Sequence, residues 1–498
     1  MEGGLPLPSA AMPHTAPDRP VSLFAALVPL VLLVLALGLN VVVFGDAGLD
    51  GPNQLALLGA AACAVVVGLM HGHSFEALME HVVQSIRTAL GAILILLLIG
   101  ALSGAWLVAG IVPAMIDHGL MVLHPSYFLV AACLACCVVS LATGSSWSTA
   151  ATVGIALMGI GSALGVHEGL VAGAVISGAY FGDKLSPLSD TTNLAPAVAG
   201  TDLFGHIRYM LYTTIPSLVI TLVLFLVIGL WSSTSGSVEG IASIHEAINT
   251  RFQIGWWLYL VPLTVMVLIW RKVPALPSLF IGTLLGALFA ALFQQDLLND
   301  LATVEGGGLQ RTYEVLIRAM GGGISITTGH GTVDELLSAG GMAGMLKTIW
   351  LILCAMTFGG VMEGAGLLQR ITGSLMGLVR GDGSLVATTA ASCVFTNVTA
   401  SDQYLSIVVP GRMFAPVFRE HGLDPRVLSR TLEDSGTVTS ALVPWNTCGA
   451  YMSSVLGVAT LTYLPFCFFN LISPLMTVLQ AWVGYRILRL KPGVEAKP

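Results

Sequence analysis

Charge is what this chain has least of. Asp, Glu, Lys and Arg make up 9% of its 498 residues, while 55% are apolar. A soluble domain carries about 25% charged residues, so a soluble fold is excluded and a polytopic membrane protein expected. No basic segment precedes the first long apolar run, so no cleavable signal peptide is expected. Residues 1–20 read instead as a Pro-, Gly- and Ala-rich disordered tail. No histidine falls inside the predicted spans, His71 only ending one of them, and neither Gly-x-Ser-x-Gly nor His-Glu-x-x-His occurs. An intramembrane enzyme would want one of these constellations, so no enzymatic activity is expected. Nothing points to a cofactor or to nucleic acid. Eight cysteines all lie in or beside apolar segments, and Cys133, Cys136 and Cys137 read as small buried hydrophobes rather than metal ligands. The histidines read as solvated loop or span-edge residues, with His71, His73 and His81 as candidate pH sensors.

Apolar runs predict spans at 21–44, 53–71 and 88–111, with an amphipathic polar arm from His73 to Arg87 between the last two. Two shorter arms, 126–142 and 150–165, flank a polar tip at 143–149 and suggest a re-entrant hairpin. A broken span at 168–200 and a plain one at 209–231 complete the first half. The second half repeats this order. Leu27-Val28-Pro29-Leu30 recurs as Leu260-Val261-Pro262-Leu263, and the Gly104/Gly110 spacing as Gly360/Gly366. The tip at Thr143 recurs at Thr396, and the polar stretch at Asp183 as Glu433-Asp434. Five crossings and one non-crossing hairpin per half make the count odd, which inverts the second half relative to the first.

The expected fold is therefore an all-α polytopic membrane protein. It has two inverted repeats of about five transmembrane helices plus a re-entrant hairpin each, with two broken helices at the midplane. The first repeat spans 21–235, a linker 236–253, the second repeat 254–490, and a C-terminal tail 491–498. A glycine-rich insertion at about 295–344, with Gly321-Gly322-Gly323 as a flexible linker, should lie outside. A cytoplasmic N-terminus places fifteen of the twenty Lys and Arg residues inside, Arg430 among them, and leaves Lys184 in the membrane. Both termini are then cytoplasmic.

Most of the chemistry sits in one stretch, Gly182-Asp183-Lys184-Leu185-Ser186-Pro187-Leu188-Ser189-Asp190-Thr191-Thr192-Asn193. Pro187 has no N–H, so the helix should break there and free backbone carbonyls. Ionisable groups at membrane depth are costly and mark ion or proton pathways. Broken helices at that depth must line a cavity or be buried in protein. Hard cations prefer oxygen ligands. One half offers Thr143, Ser145, Ser146, Asp183, Ser186, Asp190, Thr191 and Asn193; the other offers Thr396, Asn397, Asp402, Asp434, Thr437 and Asn446. Asp183, Asp190 and Asp434 are the expected Na⁺ carboxylates. Lys184 is the one intramembrane cation, and it either takes part in proton–cation competition or neutralises surplus carboxylates. Glu363, which replaces Leu107 of the matching helix, is a coupling candidate or a structural partner; Glu433 is a gate or a solvated residue.

Two runs resemble the NhaC family of Na⁺/H⁺ antiporters: Tyr180 to Ala195, and Leu428 to Thr437 with Pro444-Trp445-Asn446-Thr447-Cys448-Gly449 after it. Thr143 to Thr149 fits as well. The resemblance covers about residues 20–490 and departs at Ala441, where the family is expected to carry proline; Pro444 should keep the break. It implies exchange of cytoplasmic Na⁺ for external H⁺ in the inner membrane, an elevator-type movement and a homodimer. It also implies an alternative, a Na⁺- or H⁺-coupled carrier of a small carboxylate or amino acid, such as a malate/lactate exchanger.

Overall fold

A computed structural model describes residues 21–44, 51–122, 124–187, 189–231, 238–271, 273–328, 334 and 337–490. Both expected tails, residues 236 and 237 of the linker, and Lys272 lie outside the described residues. Helices α1 (Leu23–Phe44), α2 (Pro52–Met70), α3 (Phe75–Val108), α4 (Ile111–Val122) and α5 (Pro125–Thr143) open the chain. A short α6 (Ser146–Thr149) runs through a π-turn (Ala150–Gly154) into α7 (Ile155–Ala163). Then come α8 (Glu168–Leu185), α9 (Asp190–Ala199), α10 (Leu203–Trp231) and α11 (Val238–Arg251).

The remainder begins with α12 (Leu260–Trp270), α13 (Ala275–Phe293), α14 (Gln295–Leu301), α15 (Gly308–Gly321) and α16 (Gly341–Gly344). It continues through α17 (Leu346–Gly364), α18 (Leu367–Leu375), α19 (Asp382–Thr399), α20 (Gln403–Glu420) and α21 (Pro425–Leu432). A π-turn (Glu433–Thr437) and a 3₁₀ turn (Ser440–Leu442) extend α21; α22 (Thr447–Leu456), α23 (Thr460–Tyr463) and α24 (Phe468–Val483) close the chain. Among the described residues seven helices are long and apolar enough to cross a membrane, or nine if two bent pairs each count as one span. The strand content there is one two-residue antiparallel pair, Ile324–Ser325 with Ser338–Ala339.

Several expectations are corrected. The polar arm at 73–87 is not separate: Ser74 caps α3 by accepting the Ala77 N–H at 3.1 Å, and the helix runs unbroken for 34 residues. Nothing between Arg87 and Ile93 can stop it, since Gly91 alone only weakens a helix. The glycine triplet is not a free linker either. Where the chain leaves α15 it lies against α3, and a Cβ at Gly104 would meet the Ala319 carbonyl oxygen at 1.9 Å. The glycine triplet ends α15 and turns the chain into the strand pair.

The two halves share local geometry. Tip one runs α5, Gly144 at φ 70°, then Ser145 as N-cap; tip two runs α19, Ala400, Ser401 at φ 59°, then Asp402 as N-cap. Each break is followed by a capped ten-residue helix, α9 behind Ser189 and α22 behind Asn446. Both of these helices end on a left-handed glycine, Gly200 or Gly457. Aligned this way, Pro187 matches Pro444, and Asp183 falls opposite Ser440 rather than Glu433-Asp434. Ala441 sits inside the 3₁₀ turn, where its carbonyl accepts the Tyr463 hydroxyl at 2.8 Å; the break opens after it, at Val443 and Pro444.

Candidate functional site

Both hairpin tips and the first helix break converge on a cavity of about 600 Å³. Tip one contributes Thr143 to Ser148, the first break Asp183, Ser189, Asp190 and Thr191, and tip two Asp402, Gln403 and Tyr404. Thr447 comes from the second break. The far wall is Thr88 to Ile95 of α3 and the α12–α13 turn. Among the described lining residues there is no Lys, Arg or His, and the charged ones are three carboxylates, Asp183, Asp190 and Asp402.

Proline and a cap together make the first break. α8 ends at Leu185, Pro187 follows, and Ser189 restarts the chain by accepting the Thr192 N–H at 3.4 Å. Asn193 is exposed and locks the turn, donating to the Pro187 and Ser189 carbonyls at 2.9 and 2.7 Å. The Thr192 hydroxyl donates to the carbonyls of Asp183 and Lys184 at 3.1 and 3.0 Å, the Asp183 carbonyl also accepting the Ser186 N–H at 3.1 Å.

Adjacent residues Asp183 and Lys184 face different sides of α8. Asp183 Oδ2 accepts the Ser146 N–H and hydroxyl at 3.1 and 2.6 Å, which ties tip one to the break. Lys184, fully buried, donates to Asp434 Oδ1 and to Ser473 Oγ at 3.0 Å; Ser473 in turn donates to Asp434 at 2.9 Å. Asp434 therefore lies behind the cavity wall, not in it. Glu433 beside it is also fully buried, which corrects the solvated reading, and its Oε1 accepts the Thr191 hydroxyl at 3.1 Å. Asp190 is exposed in the cavity mouth, and Asp402 is 5% exposed, capping α20 through the Leu405 N–H at 2.9 Å.

The second half-site is built around amides. Asn397 Nδ2 donates to the Gly436 carbonyl at 2.7 Å and to Thr439 Oγ1 at 3.0 Å. Asn446 donates to the Asn397 carbonyl and side-chain oxygen, both at 3.1 Å. Thr437 is buried in the π-turn; Ser186 is buried in the first break. Thr396 bonds its own helix, donating to the Ser392 carbonyl at 2.8 Å. Glu363 is half-buried on α17 and does not line the cavity. The halves meet across the site where Trp147 stacks on Tyr451 with centroids 3.9 Å apart, and the Tyr451 hydroxyl donates to the Trp147 carbonyl at 2.8 Å.

Sequence reading missed several buried polar residues here. Ser189 and Ser473 were legible only as generic hydroxyls. Arg430, assigned to the cytoplasmic surface, is fully buried, stacked on Tyr209 at 4.4 Å and donating to Gln480 at 3.2 Å. His206, read as a solvated edge residue, is fully buried with Nδ1 at 2.6 Å from Ser429 Oγ. Both lie one or two turns inside a helix end, where hydropathy alone does not separate snorkelling from burial. The cysteines are free, and all but the half-buried Cys63 are buried.

The model for the Na⁺/H⁺ antiporter family matches residues 178–485. The chain is 37% identical over 459 residues to the Na⁺/H⁺ antiporter NhaC of Alkalihalophilus pseudofirmus, covering 92% of this chain and 96% of that one. It is 36% identical to the malate-2H⁺/Na⁺-lactate antiporter of Bacillus subtilis, covering 91% and 94%. It is also 36% identical to the arginine/ornithine antiporter ArcD of Halobacterium salinarum, covering 96% and 95%. A polytopic helical chain with carboxylates gathered at a broken helix, matched along most of its length by these relatives, belongs to the NhaC family of Na⁺/H⁺ antiporters.

Proposed function

We propose that this protein exchanges cytoplasmic Na⁺ for external H⁺ across the cytoplasmic membrane. The observation that carries the reading is the cavity wall: Asp183, Asp190 and Asp402 with the hydroxyls of Thr143, Ser145 and Ser146, and no cationic lining side chain among the described residues. A space lined by one sign of charge concentrates the opposite ion. Asp183 and Asp190 hold Na⁺, with tip-one hydroxyls and backbone carbonyls completing an oxygen shell. Asp434, balanced by Lys184, holds the second broken helix to the first.

With the N-terminus cytoplasmic, the α12–α13 turn that forms part of the wall lies at the cytoplasmic end, so the cavity opens inward. Alternating access then moves the hairpin tips and broken helices as one body against α1–α3, α12, α13 and α17, an elevator-type movement. The matching tips, breaks and ten-residue helices support two repeats of opposite orientation, and a homodimer is the assembly expected for this arrangement. Proton movement in sealed proteoliposomes with a trapped pH dye tests the reading: added Na⁺ alone should drive protons out of phase with Na⁺.

A second reading rests on the cavity's size. About 600 Å³ falls within the range of about 300–1,000 Å³ usual for small-molecule sites. That is far more than a bare cation needs, and relatives carry malate, lactate or arginine and ornithine in their names. If Na⁺ moves no protons until a small carboxylate or amino acid is added, this reading replaces the first.

A further inference from the structure

Glu433 is the buried carboxylate whose partners do not explain it. It is fully buried; the Thr437 hydroxyl, one turn on, lies close to it, but among the described residues Oε2 makes no hydrogen bond of ordinary geometry. The charged groups within electrostatic reach are Lys184, already held by Asp434, and Asp183 across the break of α8. An ionised carboxylate in such a place is costly unless paired, so the group is best satisfied as a neutral acid.

Its other oxygen is the end of a hydroxyl chain. Glu433 Oε1 lies 3.1 Å from Thr191 Oγ1, and Thr191 Oγ1 lies 3.2 Å from Ser189 Oγ. Both hydroxyl residues line the cavity. A hydroxyl both donates and accepts, so two in series can pass a proton that neither keeps. Glu433 is not among the described residues that line this cavity, so a cation held at Asp183 and Asp190 does not reach it directly.

We propose that Glu433 carries the transported proton and exchanges it with the cavity through Thr191 and Ser189. On release the Glu433 proton passes to Thr191 Oγ1, the Thr191 hydroxyl proton to Ser189 Oγ, and the Ser189 hydroxyl proton to cavity water. Three O–H bonds break, three form, and Glu433 is left as a carboxylate. A cation arriving at Asp183 and Asp190 disfavours a second positive charge nearby and expels this proton to the side from which the cation came. That is the ordering an exchanger requires, and the assignment rests on the antiport reading above.

The test compares Glu433→Gln, Thr191→Val and Thr191→Ser in proteoliposomes with two readouts. One is Na⁺-driven proton movement; the other is ²²Na⁺/Na⁺ exchange at fixed pH, which needs the cation site and a folded, moving protein but no proton. Glu433→Gln should lose proton movement at least 100-fold and keep ²²Na⁺/Na⁺ exchange within 3-fold of wild type. Thr191→Val should slow proton movement at least 10-fold more than it slows ²²Na⁺/Na⁺ exchange, and Thr191→Ser should restore it. Wild-type proton movement in Glu433→Gln would overturn the assignment. So would equal loss of both readouts in Thr191→Val and Thr191→Ser, which would make the position structural. Failure of the antiport reading looks different: wild-type protein itself would then show no Na⁺-driven proton movement, and the assignment would fall with it.

Discussion

At the scale of single residues the site separates charges that the sequence places side by side. Neighbours on a helix lie about 100° apart, so Asp183 reaches tip one and the cavity while Lys184 reaches Asp434. Asp190→Asn, in the cavity mouth, should reduce Na⁺-driven proton movement at least 100-fold while membrane insertion and detergent stability stay unchanged. Retained exchange would take Asp190 out of the site. The Lys184–Asp434 pair makes a different prediction. Removing one member of a buried ion pair strands the other and costs about 3–5 kcal/mol, whereas replacing both by apolar groups is often neutral. Lys184→Met should therefore lower the thermal midpoint in detergent, and adding Asp434→Leu should recover most of the loss. Equal destabilisation in the single and double variants would show that the pair's charges are not what holds α8 to the second broken helix.

Among elements, the two tips solve one problem with different residues. A left-handed turn joins each pair of arms, and glycine takes that conformation freely at Gly144, whereas Ser401 carries a Cβ into it at φ 59°. Such a conformation costs of order 1–3 kcal/mol for a non-glycine residue. The Ser401 carbonyl accepts the Thr447 N–H at 3.0 Å, which fixes tip two to the second break and holds the strained residue in place. Ser401→Gly should raise the thermal midpoint, by up to the equivalent of about 1 kcal/mol; an unchanged or lower midpoint would mean the side chain contributes more than its backbone costs. At the start of α21, Asp424 caps the helix through the Arg426 N–H at 3.0 Å and pairs with the Arg426 guanidinium at 2.8 Å. Burial pushes the Asp424 carboxyl up, but the Arg426 bonds outweigh it and hold the group below its ordinary value. A lowered folded-state value stabilises above the unfolded carboxylate range and is lost as pH falls through the folded value. Asp424→Asn should therefore flatten the loss of stability below about pH 4 and leave neutral-pH stability within about 1 kcal/mol. An unchanged acid limb would locate the acid sensitivity elsewhere.

For the molecule as a whole, orientation decides what the cavity means. Cysteines introduced singly at Arg271, beside the cavity wall, and at Glu305, in the insertion, should label from opposite sides of the membrane, the first from the cytoplasm. Labelling from the same side would remove the inverted arrangement, and the reverse assignment would make the cavity outward-facing. The insertion is tied to the first half: its backbone sits on α3 where Gly104 leaves no room for a side chain.

Much of this was fixed by local chemistry. Charge scarcity and long apolar runs follow from local composition, and the Pro187 and Pro444 breaks from a missing N–H beside a capping residue, since proline alone does not suffice: Pro216 and Pro410 stand inside continuous helices. The tip polarity and the carboxylates were legible for the same reason: at membrane depth each is expensive enough to stand out alone. The length of α3 was not, since its polar first turns look like a loop until α17 packs beside them, with His81 and Val82 against Gly364 and Gly360. Nor was the division of labour among acids. Asp183, Asp190, Glu433 and Asp434 are the same kind of residue within two short runs. Only the packing of α8 against α24 and tip one, and of α9 against α21 and its π-turn, decides which face water, which face a lysine, and which sit behind a chain of hydroxyls. Burial and pairing are properties of distant segments brought together, and no window of sequence contains them.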